Sequence, residues 1–340
     1  MIFGHGDDAY RYGGKIRWNF SSCMYGQADL SALQRHLSAC MDCITTYPEP
    51  EPLELEAMIA EQEGVSANAV MVTAGVTEAI YLIAQAFQGS ESVIPQPTFS
   101  EYADACRTFQ HIVSHQNHDK LEHSPENRIY WICNPNNPTG NVLLKPLLNH
   151  VVRTHPKNLY VVDQAYEDYT LMPMLEACET VDCNNLFVLH SMTKKYAIPG
   201  LRIGYIVASP TLLDRLRYLR RPWSVDSLAI EAGKYLVSHR VQIIPDLRAL
   251  LNEADRLKKA LEEMDGLRVL DSQTHFMLVQ LKEGNATALK DYLIQHHGIL
   301  IRDASNFEGL NQQYFRISTQ CAEANDLLVA ALRQYLTEVV

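Results

Sequence analysis

The segment His190 to Tyr205, HSMTKKYAIPGLRIGY, sets Lys194 and Lys195 side by side and follows them with a Pro-Gly turn and a single arginine, Arg202. The flanking residues, NLFVLH and YIVAS, read as buried strand. Lysines belong on solvated faces, so amines at the mouth of a buried strand invite a chemical reading. An amine kept partly deprotonated by its surroundings can condense with an aldehyde, and an arginine eight residues past Lys194 can clamp an anion. Three further stretches carry complementary groups. TAGVTEAIYLIAQAF leaves a strand, passes Gly75 and enters a helix whose first turn holds Val76 and Thr77. Its free amides can cradle a phosphate, although plain helix capping produces the same pattern. WICNPNNPTGN ends a strand in an unbroken run of Asn, Pro, Thr and Gly, longer than a simple turn requires. NLYVVDQAYEDY puts Asp163 at the end of a β-branched run, where a carboxylate needs a cationic partner, several donors, or a helix to cap. Tyr166 follows one turn later. A phosphate cradle, a carboxylate, an amide-rich turn, a lysine and an arginine together are the set that pyridoxal phosphate needs.

The elements that must position these groups alternate from about residue 55: LELEAMIAEQEG, AVMVTA, TEAIYLIAQAF, SVIPQP, YADACRTF and RIYWIC, then LYVVD, LFVLH and RIGYIVA. Short apolar runs separated by amphipathic helices predict a mainly parallel α/β sheet covered on both faces. In such sheets ligands collect at the carboxyl ends of the strands, where the groups above lie. After Pro222 long helices precede strands around FMLVQL, GILIRD and YFRIST, and a helix closes the chain, the texture of a smaller α+β domain. The expected organisation is an N-terminal arm over 1–30 that contributes to the small domain and the site, a large domain over 31–221 and a small domain over 222–340. GILIRDASNFEGLNQQYFRIST reads as two strands around a turn, with Arg302 ending the first. In the second, Tyr314, Arg316 and Ser318 share one face by period-two alternation. Surface ion pairing is the other reading of these arginines.

With 340 residues, 47% of them hydrophobic, the chain can bury the cores of two domains. Its 29 basic and 40 acidic residues give a net charge of −11, which argues against nonspecific binding to nucleic acid or anionic membrane. MIFGHGDDAY has no basic or apolar leader, and no window approaches the ~18 apolar residues of a membrane span, so a cytoplasmic location is expected. Eight cysteines, at 23, 40, 43, 106, 133, 178, 183 and 321, are too sparse for a disulfide scaffold. Cys40 and Cys43 form one C-x-x-C without a second pair, which reads as helix packing, and no metal is expected.

NPNNPTG, VVDQAY and SMTKKYAIPGLRIGY, taken together, resemble the fold-type I pyridoxal-phosphate enzymes of the aminotransferase class I/II group, over nearly the whole chain. The resemblance implies that fold and the cofactor pyridoxal 5'-phosphate. It makes Lys194, not Lys195, the lysine that carries the cofactor, because Ser191 stands three residues before it and Arg202 eight after. Asp163 then pairs with the ring nitrogen, Asn137 and Tyr166 bond the phenolic oxygen, and Tyr102 of PTFSEY stacks on the ring. The phosphate falls to Val76 and Thr77 beyond Gly75, with Ser191 and Arg202. Tyr47 of TTYPEPE is similar to the tyrosine that reaches a neighbouring subunit's cofactor, which implies a homodimer.

Within the group, KKYAIPGLRIGY, RPWSVDSLA and ILIRDASNFEGL are most similar to the enzymes that decarboxylate L-threonine O-3-phosphate for cobalamin biosynthesis. That resemblance makes Arg316 the holder of the substrate carboxylate, beside Asn137, and gives the substrate phosphate to Arg302 and to His5 of HGDD. The implied product is (R)-1-aminopropan-2-ol O-phosphate, with Lys194 as proton donor. Two residues depart from the pattern: Cys23 of NFSSCMYG stands in place of an asparagine, in a shortened loop, and Gln164 in place of a glutamate. Histidinol-phosphate aminotransferases share every cofactor residue and are the alternative, against which PWSV and LIRDASNF weigh.

Overall fold

Short runs of β-branched and aromatic residues bounded by Gly, Pro or Asn set the frame. In the computed structural model, which describes residues 7–116, 121 and 125–338, they form a seven-stranded sheet. Its order is Val70–Thr73, Gly204–Ala208, Leu186–His190, Leu159–Asp163, Ile129–Cys133, Glu91–Pro95 and Ile112–Gln116. Gly204–Ala208 runs against the other six. The five strands at the Val70–Cys133 side are buried at every position, as a sheet covered on both faces requires. Ile80, Ile83 and Leu213 cover one face against Trp131 and Phe187. Leu148, Val151 and Val152 cover the other against Tyr130, Tyr160 and Val162.

The two edges are handled differently. Ile112–Gln116 escapes the sequence reading because IVSHQ is an edge strand that leaves Ile112 66% exposed, so it lacks the unbroken apolar run of its neighbours. At the other edge, side chains occupy the open ladder of Val70–Thr73. Glu56 accepts from the Val72 amide at 3.0 Å, and Arg220 donates to the Val72 carbonyl at 2.7 Å and to Glu56 at 2.8 Å. Arg217 donates to the carbonyls of Asn68 and Val70. Charged caps of this kind keep an edge from pairing with another chain. Both members of the Glu56–Arg220 pair are 2% exposed. Arg220→Ala leaves Glu56 buried with Arg217 at 4.0 Å. Breaking a buried pair on one side costs about 3–5 kcal/mol, so urea unfolding of this variant is expected to show a loss of that size.

The second unit is a four-stranded antiparallel sheet, Arg302–Asp303, Tyr314–Ser318, Phe276–Leu281 and Leu267–Val269. Helices Leu247–Glu262, Ala286–His297 and Ala322–Glu338 enclose its core. GILIRD, expected as one strand, is divided at Ile301. Ile299–Leu300 pairs in parallel with Trp18–Asn19, whereas Arg302–Asp303 pairs with Tyr314–Ser318. That division ties the N-terminal segment to the small unit, and Phe20 is buried in the same core. Helix Ser227–Ser238 follows position 222 but buries Ala229, Ile230 and Leu236 with Val70 and Val207, so by packing it belongs with the large sheet. Among the described residues, no helix is long and apolar enough to cross a membrane.

Candidate active site

Three parallel strands of the large sheet end level with one another: Cys133 lies opposite Asp163, and Asp163 opposite Leu189. A cavity of about 280 Å³ opens at these carboxyl ends, and the small sheet closes its far side. From the large unit it is lined by Val76, Thr77, Tyr102, Asn137, Asp163 and Tyr166, and by Ser191, Lys194 and Arg202 of the opening segment. Arg302 and Arg316 face them from the small unit.

The two lysines part company here. Ser191 caps the short helix Met192–Lys195, its hydroxyl accepting from the Lys194 amide at 3.3 Å. Successive residues of a helix point about 100° apart. Lys194 therefore lines the cavity, with its Nζ 5.8 Å from the centre of the Tyr166 ring, while Lys195 turns to Asp168 at 3.5 Å. Burial lowers the pKa of Lys194, and the charges of Arg316 and Arg202 act in the same direction against Cys23 and Asp7. Burial also disfavours the charge of Lys195, but Asp168 and Glu167 outweigh it and hold that group above its ordinary value. Of the two, Lys194 is the amine whose surroundings favour the uncharged, nucleophilic form.

Asp163 is 3% exposed. Its Oδ2 accepts from the Tyr102 hydroxyl at 2.7 Å and its Oδ1 from the Ala165 amide at 2.9 Å. Burial raises its pKa, with those two donors working the other way. A cationic ring nitrogen at this carboxylate would relieve the cost of burying it. Tyr102 itself stacks on Trp131, with ring centres 6.0 Å apart.

At the opposite end, Gly75 has φ +76°, and a Cβ on it would lie 2.8 Å from Arg202 Nη2. Only glycine lets the guanidinium rest against the start of helix Gly75–Ala86, beside the amides of Val76 and Thr77. Arg202 takes a left-handed φ of +50° and donates to the Pro199 carbonyl at 3.2 Å. Such backbone conformations in non-glycine residues concentrate at functional sites.

The NPNNPTG loop divides its labour. Asn134 bonds the backbone of Leu143, and Asn136 bonds Pro97, Thr98 and Thr139, so these two fold the loop as turn residues do. Asn137 alone of the three reaches the cavity, where its side-chain Oδ1 accepts from Arg316 Nη1. Arg316 Nη2 donates to the Ser21 carbonyl at 2.7 Å, and Nε is buried with no partner among the described residues. Arg302, opposite Arg316 in the sheet register, donates to Asn306 Oδ1 at 2.7 Å and lies over the Phe307 ring. Burial, and then the charge of Arg316, lower its pKa to about 10.

Of the remaining expectations, Cys23 meets the cavity and Tyr47 and Gln164 do not. Tyr47 is 83% exposed and packs against Trp223, apart from the cavity. His5 lies outside the described residues. Cys23 forms part of the wall, and burial raises its thiol. Gln164 points away and satisfies Glu167 and both backbone groups of Leu175. Sequence reading missed Tyr169, whose hydroxyl donates to the Lys194 carbonyl and accepts from the Tyr25 amide, both at 2.9 Å. It also missed His275, stacked on Tyr169 at 4.1 Å, with neither ring nitrogen partnered among the described residues. Burial lowers the His275 pKa to about 3, so this ring is neutral.

These residues fit pyridoxal phosphate: an amine of lowered pKa, a buried acid across the cavity, and a glycine-spaced cradle of amides beside an arginine. Residues 20–332 match the model of the family described as aminotransferase class I and II. The chain belongs to this family. Among class I and II relatives, it is 30% identical over 327 residues to threonine-phosphate decarboxylase of Salmonella typhimurium, covering 91% of this chain and 88% of that protein. It is 31% identical over 311 residues to histidinol-phosphate aminotransferase of a Thermoanaerobacter species, covering 86% and 85%. The crystal structure of L-threonine-O-3-phosphate decarboxylase from Porphyromonas gingivalis superposes with a TM-score of 0.92 at 38% identity, over 94% of this chain and 100% of that one. Histidinol-phosphate aminotransferase from Sinorhizobium meliloti, in complex with pyridoxal-5'-phosphate, has a TM-score of 0.84 at 19% identity, over 97% and 94%, and bears on the fold alone.

Proposed function

We propose that this chain is a pyridoxal-phosphate-dependent lyase that converts L-threonine O-3-phosphate to (R)-1-aminopropan-2-ol O-phosphate and CO₂, the aminopropanol step of cobalamin biosynthesis, as a cytoplasmic homodimer. The observation that carries the reading is the pair Arg302 and Arg316, buried opposite each other on one wall. Two guanidinium groups at 7% and 4% exposure favour a ligand with two anionic groups, and phosphothreonine brings a phosphate and a carboxylate. Histidinol phosphate carries only the phosphate, and in the alternative reaction the second arginine would serve 2-oxoglutarate in the other half of the cycle. The Salmonella relative and the Porphyromonas structure support the same reading, while the Thermoanaerobacter relative is the basis of the alternative.

Bound pyridoxal phosphate supplies the electron sink for the pair left behind when the carboxylate departs as CO₂. The chain's residues do the rest. Val76, Thr77, Ser191 and Arg202 hold the cofactor phosphate, Asp163 keeps the ring nitrogen protonated, and Tyr166 with Asn137 bonds the phenolic oxygen. Arg316, steadied by Asn137 and the Ser21 carbonyl, orients the carboxylate so that its bond to the α-carbon is the one broken. Arg302 holds the substrate phosphate, a role shared by His5. Lys194 Nζ then delivers a proton to the α-carbon. Tyr47, exposed with Ile44 and Trp223, reaches the cavity of a second copy.

The deciding experiment incubates the protein with O-phosphothreonine and measures CO₂, beside histidinol phosphate with 2-oxoglutarate and a glutamate assay. CO₂ supports the proposal, and glutamate without CO₂ reverses it. Arg302→Gln is expected to raise KM for O-phosphothreonine about a hundredfold, the scale of losing one partner of a buried charged contact, with a smaller change in kcat. Steady-state CO₂ release gives both constants.

A further inference from the structure

The C-x-x-C pair, set aside in the sequence as helix packing, has companions that only the fold supplies. His36 and Cys40 stand one turn apart at the end of helix Ser31–Ala39, and Cys40 caps that helix by donating its amide to the His36 carbonyl at 3.1 Å. Glu231 comes from helix Ser227–Ser238. The ligand atoms of these three residues all lie within 4.8 Å of one another. His36 Nε2 is buried and has no hydrogen-bond partner among the described residues. Its ring plane is fixed by stacking on Tyr235 at 4.5 Å, one turn beyond Glu231. Cys43 follows in the next turn, its amide donating to the Cys40 carbonyl at 3.0 Å, with its sulfur outside the 4.8 Å group.

The geometry points to a divalent metal site formed by His36, Cys40 and Glu231 and completed by Cys43, separate from the active-site cavity, with zinc as the ion it selects. Two sulfurs, one imidazole nitrogen and one carboxylate oxygen make a four-ligand set of the kind zinc takes, and thiolates disfavour magnesium and calcium. Tetrahedral bonds of about 2.0–2.3 Å place ligand atoms about 3.5 Å apart, so His36, Cys40 and Glu231 need only a small contraction, while Cys43 has to turn inward to complete the set. Glu231 Oε1 is held by Lys234 at 2.7 Å, and Lys234 also binds Glu54 at 3.0 Å. Lys234 therefore keeps a partner if the Glu231 carboxylate turns to the metal. Binding would release the two thiol protons to solvent.

The test uses full-length, cofactor-loaded protein, reduced and dialysed against a chelator, then titrated with zinc in competition with a chromophoric chelator. The expected result is one zinc per chain retained through gel filtration, with a higher Tm when loaded. That zinc should be lost in the Cys40→Ser/Cys43→Ser double variant and in His36→Ala, both of which keep wild-type cofactor absorbance and activity because neither touches the cavity. Equal zinc retention by wild type and variants would overturn the site, as would no retained zinc in the wild type. A Cys40–Cys43 disulfide, seen as an intact mass two hydrogens lighter that reductant restores and that excludes zinc, would overturn it too.

Discussion

Lys194→Ala is expected to lower the rate of CO₂ release from O-phosphothreonine by at least about a thousandfold, the upper part of the range for losing a positioned proton-transfer group, before the loss of the covalent anchor is added. Lys194 is the amine the cavity encloses, and burial and two neighbouring arginines hold its pKa down. Its backbone is fixed independently of its side chain, by Ser191 on one side and the Tyr169 hydroxyl on the other, so the truncated chain keeps the shape of the turn. Lys195→Ala is the informative control. It removes a partner of Asp168 outside the cavity and should cost stability rather than chemistry. A small added primary amine should restore part of the Lys194→Ala rate, and it should do nothing for Lys195→Ala.

Asp163→Asn should cost about a hundredfold or more in kcat with little change in KM for substrate. The amide is nearly isosteric, keeps a hydrogen bond to Tyr102 or Ala165, and removes only the charge. Each pKa unit that the carboxylate adds to the ring nitrogen is worth about 1.4 kcal/mol of charged-ring stability, so a shift of a few units accounts for the effect. The cavity exaggerates it, because Asp163 is buried and no bulk water screens the pair. The measurement is steady-state CO₂ release across pH. The variant's deficit should shrink as pH falls and the unassisted ring nitrogen gains its proton. A deficit independent of pH would mean that Asp163 acts by shape and not by charge.

What could be read without coordinates was local. LYVVD and LFVLH announce buried strands because the first four positions of each are aliphatic or aromatic, and Asp163 and Ser191 fall at their ends by simple counting. The Gly75 turn is legible for the same reason, since only glycine tolerates that φ against Arg202. Residues whose partners lie far along the chain were not legible. Tyr169 sits in YEDY with no period to single it out, and its partner is the Lys194 backbone. Glu56 reads as one more acid on an amphipathic helix until the fold sets Arg220 beside it under an open strand edge. Arg302 and Arg316 were assignable to strands by alternation, but their convergence depends on a register that sequence periodicity does not specify. The choice between Lys194 and Lys195 was available through the resemblance, by the spacing to Ser191 and Arg202, but not through propensity, which is identical for adjacent identical residues; the helix that separates their directions supplies the physical reason.

The most direct test of the account is to reduce the cofactor-loaded protein with borohydride, digest it and map the pyridoxyl label. A single labelled peptide with the modification on Lys194 is expected. Label on Lys195 or any other amine, or a protein that takes up the cofactor and yields no label, would contradict it.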